Sequence, residues 1–210
     1  MQLSMDWGVR CRQAKTNPEL MQFGIGQGGV YESLRREHIS FLIDQDFEGL
    51  AIGGLSVGEP KTAMREMTEL SCQYLPKEKP RYLMGVGTPG DLLESVAMGV
   101  DMFDCVMPTR NARNGTLFSW KGRVNIKSSK HKFMEEPIDA GCPCYTCQNH
   151  SLAYLRHLFV AKEPSIMRLL TLHNLTFYLS LMRRMREEIE ADHFEAFHKQ
   201  WKPVFEDKAK

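Results

Sequence analysis

Four short apolar runs constrain the fold more than any other feature of this chain. They are Gln22-Phe-Gly-Ile-Gly, Gly49-Leu-Ala-Ile-Gly, Arg81-Tyr-Leu-Met-Gly-Val and Met102-Phe-Asp-Cys-Val. Each is bounded by Gly, Pro or Asp and is too short for a helix, so each reads as a strand. Helical patterns lie between them, at residues 30–45, 59–74 and 91–98. Strands alternating with helices predict an α/β chain with a parallel sheet and crossover helices. Apolar character on both faces of the runs suits a buried parallel sheet.

In parallel α/β folds the chemistry sits at the C-terminal ends of the strands. Those ends read Gln27-Gly-Gly, Gly53-Gly-Leu, Gly85-Val-Gly-Thr and Asp104-Cys. Glycine lets backbone N–H groups approach a flat or charged ligand. Gln27 offers a donor and an acceptor, as a base edge requires. Asp104 is the one carboxylate among these ends. Taken singly, a glycine pair is a tight turn and a lone Asp is a cap. The site reading rests on all four ends converging.

Beyond Pro108 the pattern changes. Residues 115–127 read as a β-hairpin, and from Ser151 onward the chain reads as helical. Leu175, Tyr178, Met182, Met185 and Ile189 lie at helical spacing and are taken as a core-packing stripe. The last residues, rich in Lys, Glu and Asp, are expected to fray.

Two features of this second part carry chemistry. Residues 105–134 contain no acidic residue but carry Arg110, Arg113, Lys121, Arg123, Lys127, Lys130 and Lys132, with Phe118, Trp120 and Phe133 interleaved. Cations neutralise phosphates, and Arg or aromatic rings stack on bases, so the stretch points to RNA; the plain alternative is a solvated hairpin face. The net charge of +1 means that any nucleic-acid surface is a local patch. Next, Cys142-Pro-Cys144-Tyr-Thr-Cys147 places three thiols within six residues. Zinc in structural sites takes four ligands, and His150, His157 and His173 all lie downstream as sources of the fourth. Three sulfurs and one imidazole leave no open position, so the predicted role is structural. The start of the chain lacks a basic segment followed by an apolar run, and no stretch approaches the ~18 apolar residues of a membrane span. A cytoplasmic location is expected.

Several segments together resemble one family. Residues 101–115, Asp-Met-Phe-Asp-Cys-Val-Met-Pro-Thr-Arg-Asn-Ala-Arg-Asn-Gly, are similar to the signature of tRNA-guanine transglycosylases of the bacterial type. So are Phe23-Gly-Ile-Gly-Gln-Gly-Gly, Gly53-Gly-Leu-Ser-Val-Gly-Glu, Tyr82-Leu-Met-Gly-Val-Gly, the cysteine cluster and Thr171-Leu-His-Asn. The resemblance implies that Asp104 is a nucleophile forming a covalent ribosyl intermediate, that Gln27 and Gly54 read the base and that Met84 packs against it. It implies tRNA contacts from Gly85, Val86, Gly87, Thr88, Pro89, Gly90 and Asp91, and from Thr109, Arg110, Asn111, Ala112 and Arg113. It implies one structural zinc on Cys142, Cys144, Cys147 and His173. Val57 implies the smaller bacterial substrate, 7-aminomethyl-7-deazaguanine, exchanged for the wobble guanine of G-U-N tRNAs (Asp, Asn, His, Tyr) in queuosine synthesis. The implied assembly is a homodimer.

The implied fold is the C-terminal half of a TIM (β/α)8 barrel over residues 1–110. A β-hairpin and zinc-binding subdomain would follow over 111–174, then a C-terminal helix and tail over 175–210. The family's second catalytic aspartate belongs to a half-barrel that this sequence does not contain. A second reading is therefore an incomplete or non-catalytic RNA-binding partner subunit; the retained Asp104 in its full context favours the enzyme.

Overall fold

A computed structural model describes residues 1–206 of the 210. The tail expected to fray lies largely outside those residues. The chain divides into two units, one of residues 1–87 and 91–105, the other of 88–90 and 106 onward.

The first unit opens with a helix, α1 (Gln2–Gln13), that the apolar runs did not signal. Then come β1 (Phe23–Gly26), α2 (Glu32–Asp44), β2 (Gly49–Ile52), α3 (Lys61–Tyr74), β3 (Arg81–Leu83), α4 (Pro89–Ala97) and β4 (Met102–Phe103). The strands pair in parallel in the order β1-β2-β3-β4, as the alternation predicts. Successive residues of a strand point to opposite faces, so register sorts them. Gly24, Leu50 and Arg81 share one row, and Gly26, Ile52, Leu83 the next on that face. That face is covered: Phe47 and Ile39 lie so close over Gly24 and Gly26 that a Cβ there would fall 2.6 and 3.3 Å from them. Ile39, Leu42, Leu50, Ile52, Leu83 and Val100 are buried in this core. The opposite face carries Ile25, Ala51, Tyr82 and Met102 in one row. Ile25 and Met102 are 40% and 45% exposed, so the sheet is buried on one side only at its outer strands.

The second unit begins with α5 (Met107–Arg113) and the expected hairpin, β5 (Thr116–Ser119) and β6 (Gly122–Asn125), paired antiparallel. A short helix that the sequence did not signal, α6 (Tyr145–Asn149), follows, and the expected helical region then resolves into α7 (Leu152–Val160), α8 (Ser165–Glu190) and α9 (Phe194–Phe205). The stripe expected on α8 is half wrong. Tyr178 and Met185 are buried, but Leu175 and Ile189 are exposed. The face that packs is Ile166, Leu170, His173, Phe177, Leu181 and Met185, and it carries a histidine that an apolar count skips. Two aromatics expected among the basic residues also turn inward. Phe118 is buried against Phe177 and Tyr178, and Trp120 packs among Phe177, Phe197 and Trp201. Phe133 alone of the three is exposed, at 83%.

Candidate active site and metal centre

In the first unit, a parallel sheet in chain order puts all four C-terminal strand ends on one edge. Asp104 follows β4 and is exposed. Its Oδ1 accepts hydrogen bonds from the Tyr82 hydroxyl (2.6 Å) and the Gly85 N–H (3.0 Å). The Tyr82 hydroxyl first, then the Gly85 amide, hold the Asp104 carboxyl below the usual carboxylate range. The same bond to Asp104 raises the Tyr82 phenol above its ordinary value. At neutral pH this is therefore a carboxylate beside a neutral phenol. Both bonds end on one oxygen, which orients the other.

Gln27 follows β1, and its carboxamide lies against the end of β2. A Cβ on Gly54 would meet its Oε1 at 2.8 Å, and one on Gly53 would meet its Nε2 at 3.1 Å. Gly54 also has φ +67°, a conformation that costs a non-glycine residue roughly 1–2 kcal/mol. Met84, half-buried, continues the ladder, its N–H reaching Ile52 O (3.3 Å). The loop after Gly54 is stapled by Glu59, which accepts from Ser56 N and Val57 N (3.0 Å). Burial works to raise Glu59, and the N–H groups of Ser56, Val57 and Gly58 more than offset it, so it too stays ionised. Val57 stands 83% exposed on this loop.

The segment 85–91 is mostly covered within this structure. Gly85 is exposed, Thr88 half-buried, and Val86, Gly87, Pro89 and Gly90 are buried. Asp91 is buried and paired with Lys61 (3.0 Å) and Arg65 (3.3 Å). In α5, Arg110 and Arg113 are exposed, Thr109 and Asn111 half-buried, and Ala112 fully buried.

The second unit gathers the cysteine cluster. Cys142, Cys144, Cys147 and His173 are buried, and their ligand atoms lie within 4.8 Å of one another. His173 Nδ1 is 3.7, 3.8 and 3.3 Å from the three sulfurs. A tetrahedral zinc with ordinary bond lengths separates sulfur from nitrogen by about 3.6 Å, so the group fits. His173 Nε2 lies 2.8 Å from Phe118 O, which places the proton there and leaves Nδ1 as a ligand. The competing His150 instead packs edge-on against Tyr145 and tilted against Tyr154. Next to His173, the fully buried Asn174 donates to Pro108 O (2.9 Å) and Thr116 O (3.1 Å) and accepts from Phe118 N (3.2 Å). Thus two adjacent side chains of α8 fasten the hairpin.

Three supporting residues were not singled out from the sequence: Tyr82, Arg35 and His38. Strand parity could have found Tyr82, since 82 and 104 fall on one side of registered strands. Arg35 and His38 share the inner face of α2 with Ile39 and Leu42, all four buried. A charged residue at that spacing is the legible sign.

The sequence model of the family described as Queuine tRNA-ribosyltransferase matches residues 1–206. The chain belongs to this family. It is 52% identical over 202 residues to a queuine tRNA-ribosyltransferase of Thermoanaerobacter pseudethanolicus, covering 96% of this chain and 54% of that protein. The relative from Herpetosiphon aurantiacus is 53% identical over 206 residues, covering 98% and 53%. That from Francisella tularensis is 50% identical over 201 residues, covering 96% and 55%. The chain therefore spans about half the length of the family members it matches, and corresponds to their C-terminal portion. No helix among the described residues is long and apolar enough to cross a membrane.

Proposed function

We propose that this chain supplies the nucleophile-bearing half of a tRNA-guanine transglycosylase acting at the wobble position of G-U-N tRNAs. The observation that carries the reading is the Asp104 carboxylate, oriented by Tyr82 and Gly85, on the sheet edge that also holds Gln27 and Gly54. Asp104 Oδ2 attacks C1′ of the wobble nucleoside. The glycosidic electron pair leaves with guanine, which takes a proton from the family's second carboxylate. N9 of 7-aminomethyl-7-deazaguanine then attacks C1′ of the ribosyl intermediate, breaking its bond to Asp104, and its N9 proton returns to that second carboxylate. A carboxylate suits a centre that is cationic in the transition state.

Gln27 reads the base edge through its amide, Gly54 through its N–H, and Met84 packs on the base. Exposed Gly85, Arg110 and Arg113 contact RNA, and exposed Phe133 with its neighbour Lys132, 5.1 Å over the ring, extends that surface. Zinc on Cys142, Cys144, Cys147 and His173 is structural. The four parallel strands are half of a TIM barrel, whose interior face is the one bearing Ile25, Tyr82 and Met102. Cytoplasmic location and homodimerisation go with the same reading. A second reading is an incomplete or non-catalytic RNA-binding partner subunit of the same family, which binds tRNA without exchanging the base itself.

The test is incorporation of labelled guanine into a G-U-N tRNA by wild type and Asp104→Ala, each with and without the N-terminal portion of a relative. Label entering with wild type and not with Asp104→Ala supports the assignment. Equal incorporation by both refutes Asp104 as nucleophile. Tight tRNA binding without exchange in either preparation favours the partner subunit.

A further inference from the structure

The base-reading groups stand on a buried cation that the chemistry above does not use. Arg35, in α2, is 0% exposed. Its Nε and Nη2 donate to Gly29 O (3.1 and 2.6 Å), Nη2 also to Gly53 O (3.2 Å), and Nη1 reaches Ser71 Oγ (3.5 Å). The guanidinium therefore ties the loop after β1 to the loop after β2. Burial lowers its pKa, and Glu59 acts in the opposite sense. One turn along, His38 is 1% exposed, and its Nδ1 accepts the Gln27 N–H (2.8 Å). The helix sits hard against the first loop: a Cβ on Gly28 would fall 2.7 Å from Arg35 N.

The Gly53 carbonyl and the Gly54 N–H belong to one peptide unit. In a trans peptide they point in opposite directions from one plane. A charge-assisted bond on the carbonyl fixes that plane and polarises the N–H on its far side. We infer that Arg35 is a positioning and specificity-determining residue for the base, holding and polarising the Gly53–Gly54 peptide while His38 fixes the backbone of Gln27. The inference rests on Gln27 and Gly54 reading the base. Arg35 itself touches no substrate. The planar guanidinium presents its donors in a rigid fork that spans Gly29 O and Gly53 O together.

The experiment compares wild type, Arg35→Lys, Arg35→Met, His38→Asn and His38→Ala, prepared with the same N-terminal portion. KM for guanine and KM for tRNA are measured separately, and guanine affinity is measured without turnover by equilibrium dialysis. Arg35→Met is expected to weaken guanine at least about tenfold, equivalent to about 1.4 kcal/mol, with KM for tRNA within about twofold. Arg35→Lys, whose single nitrogen cannot reproduce the fork across Gly29 O and Gly53 O, falls between. His38→Asn, whose amide oxygen can replace Nδ1, retains more guanine affinity than His38→Ala. Unchanged guanine affinity in Arg35→Met overturns the inference. So does a loss in kcat and both KM values that only tracks the folded fraction by circular dichroism. If Asp104→Ala exchanges base as wild type does, the nucleophile reading fails, yet dialysis still decides the role of Arg35. If wild type retains no guanine, both fail.

Discussion

Replacing Asn174 by alanine should unfold the second unit far more easily than its size implies. The side chain is fully buried and makes three hydrogen bonds, to Pro108 O, Thr116 O and Phe118 N, that link α8 to α5 and β5. Alanine leaves all three groups without that partner. A buried group so orphaned costs about 1–3 kcal/mol, the carbonyls at the low end because each has a second lone pair. The sum is roughly 4 kcal/mol before any cavity is counted. With a urea slope of roughly 2 kcal/mol per molar, the midpoint should fall by about 2 M. Trp120 and Trp201 meet edge-to-face at 4.8 Å in this unit, so tryptophan fluorescence reports the transition. Asn174→Asp should be no milder at neutral pH. It keeps an oxygen for Phe118 N but sets a carboxylate against two carbonyl oxygens. A midpoint for Asn174→Ala within about 0.3 M of wild type, with the slope unchanged, would refute the reasoning.

Three other outcomes follow from the two sites. Cys147→Ser should lower metal content from about one zinc per chain, while His150→Ala should leave it intact; elemental analysis after dialysis against a mild chelator distinguishes them. Tyr82→Phe removes the first cause of the lowered Asp104 pKa, so that pKa rises. The acid limb of the exchange rate should then move to higher pH, and an unmoved or lowered limb counts against the Tyr82 bond. Arg110→Gln with Arg113→Gln should weaken tRNA binding and flatten its salt dependence, by about 0.7 in log–log slope for each phosphate no longer neutralised; an unchanged slope removes them from the interface.

The parallel order of the sheet was legible because short apolar runs alternating with helical patterns permit little else. The strand ends were legible for the same reason, since chain order alone puts Gln27, Gly54, Met84 and Asp104 on one edge. The density of the cysteine cluster pointed to a metal site. Its fourth ligand was named only by resemblance, because three downstream histidines compete equally on spacing. Distance decides that choice in the structure: His173 Nδ1 lies 3.3–3.8 Å from all three sulfurs, while His150 lies between two tyrosine rings.

What the sequence determined by itself was thus periodic or dense: strand alternation, glycine-lined ends, the thiol cluster and the family signature. Tertiary structure decided which polar and aromatic groups turn inward, because that depends on neighbours far along the chain. The spacing of Arg35 marks it as a cation on the core face of α2, but its partners, the carbonyls of Gly29 and Gly53, appear only in the structure. Phe118 and Trp120 look like stacking platforms among cations until α8 and α9 cover them. Asp91 looks like a loop carboxylate until Lys61 and Arg65 close on it. Burial of a charge or a ring is a property of long-range packing, and local spacing can hint at it without naming the groups that pair with it.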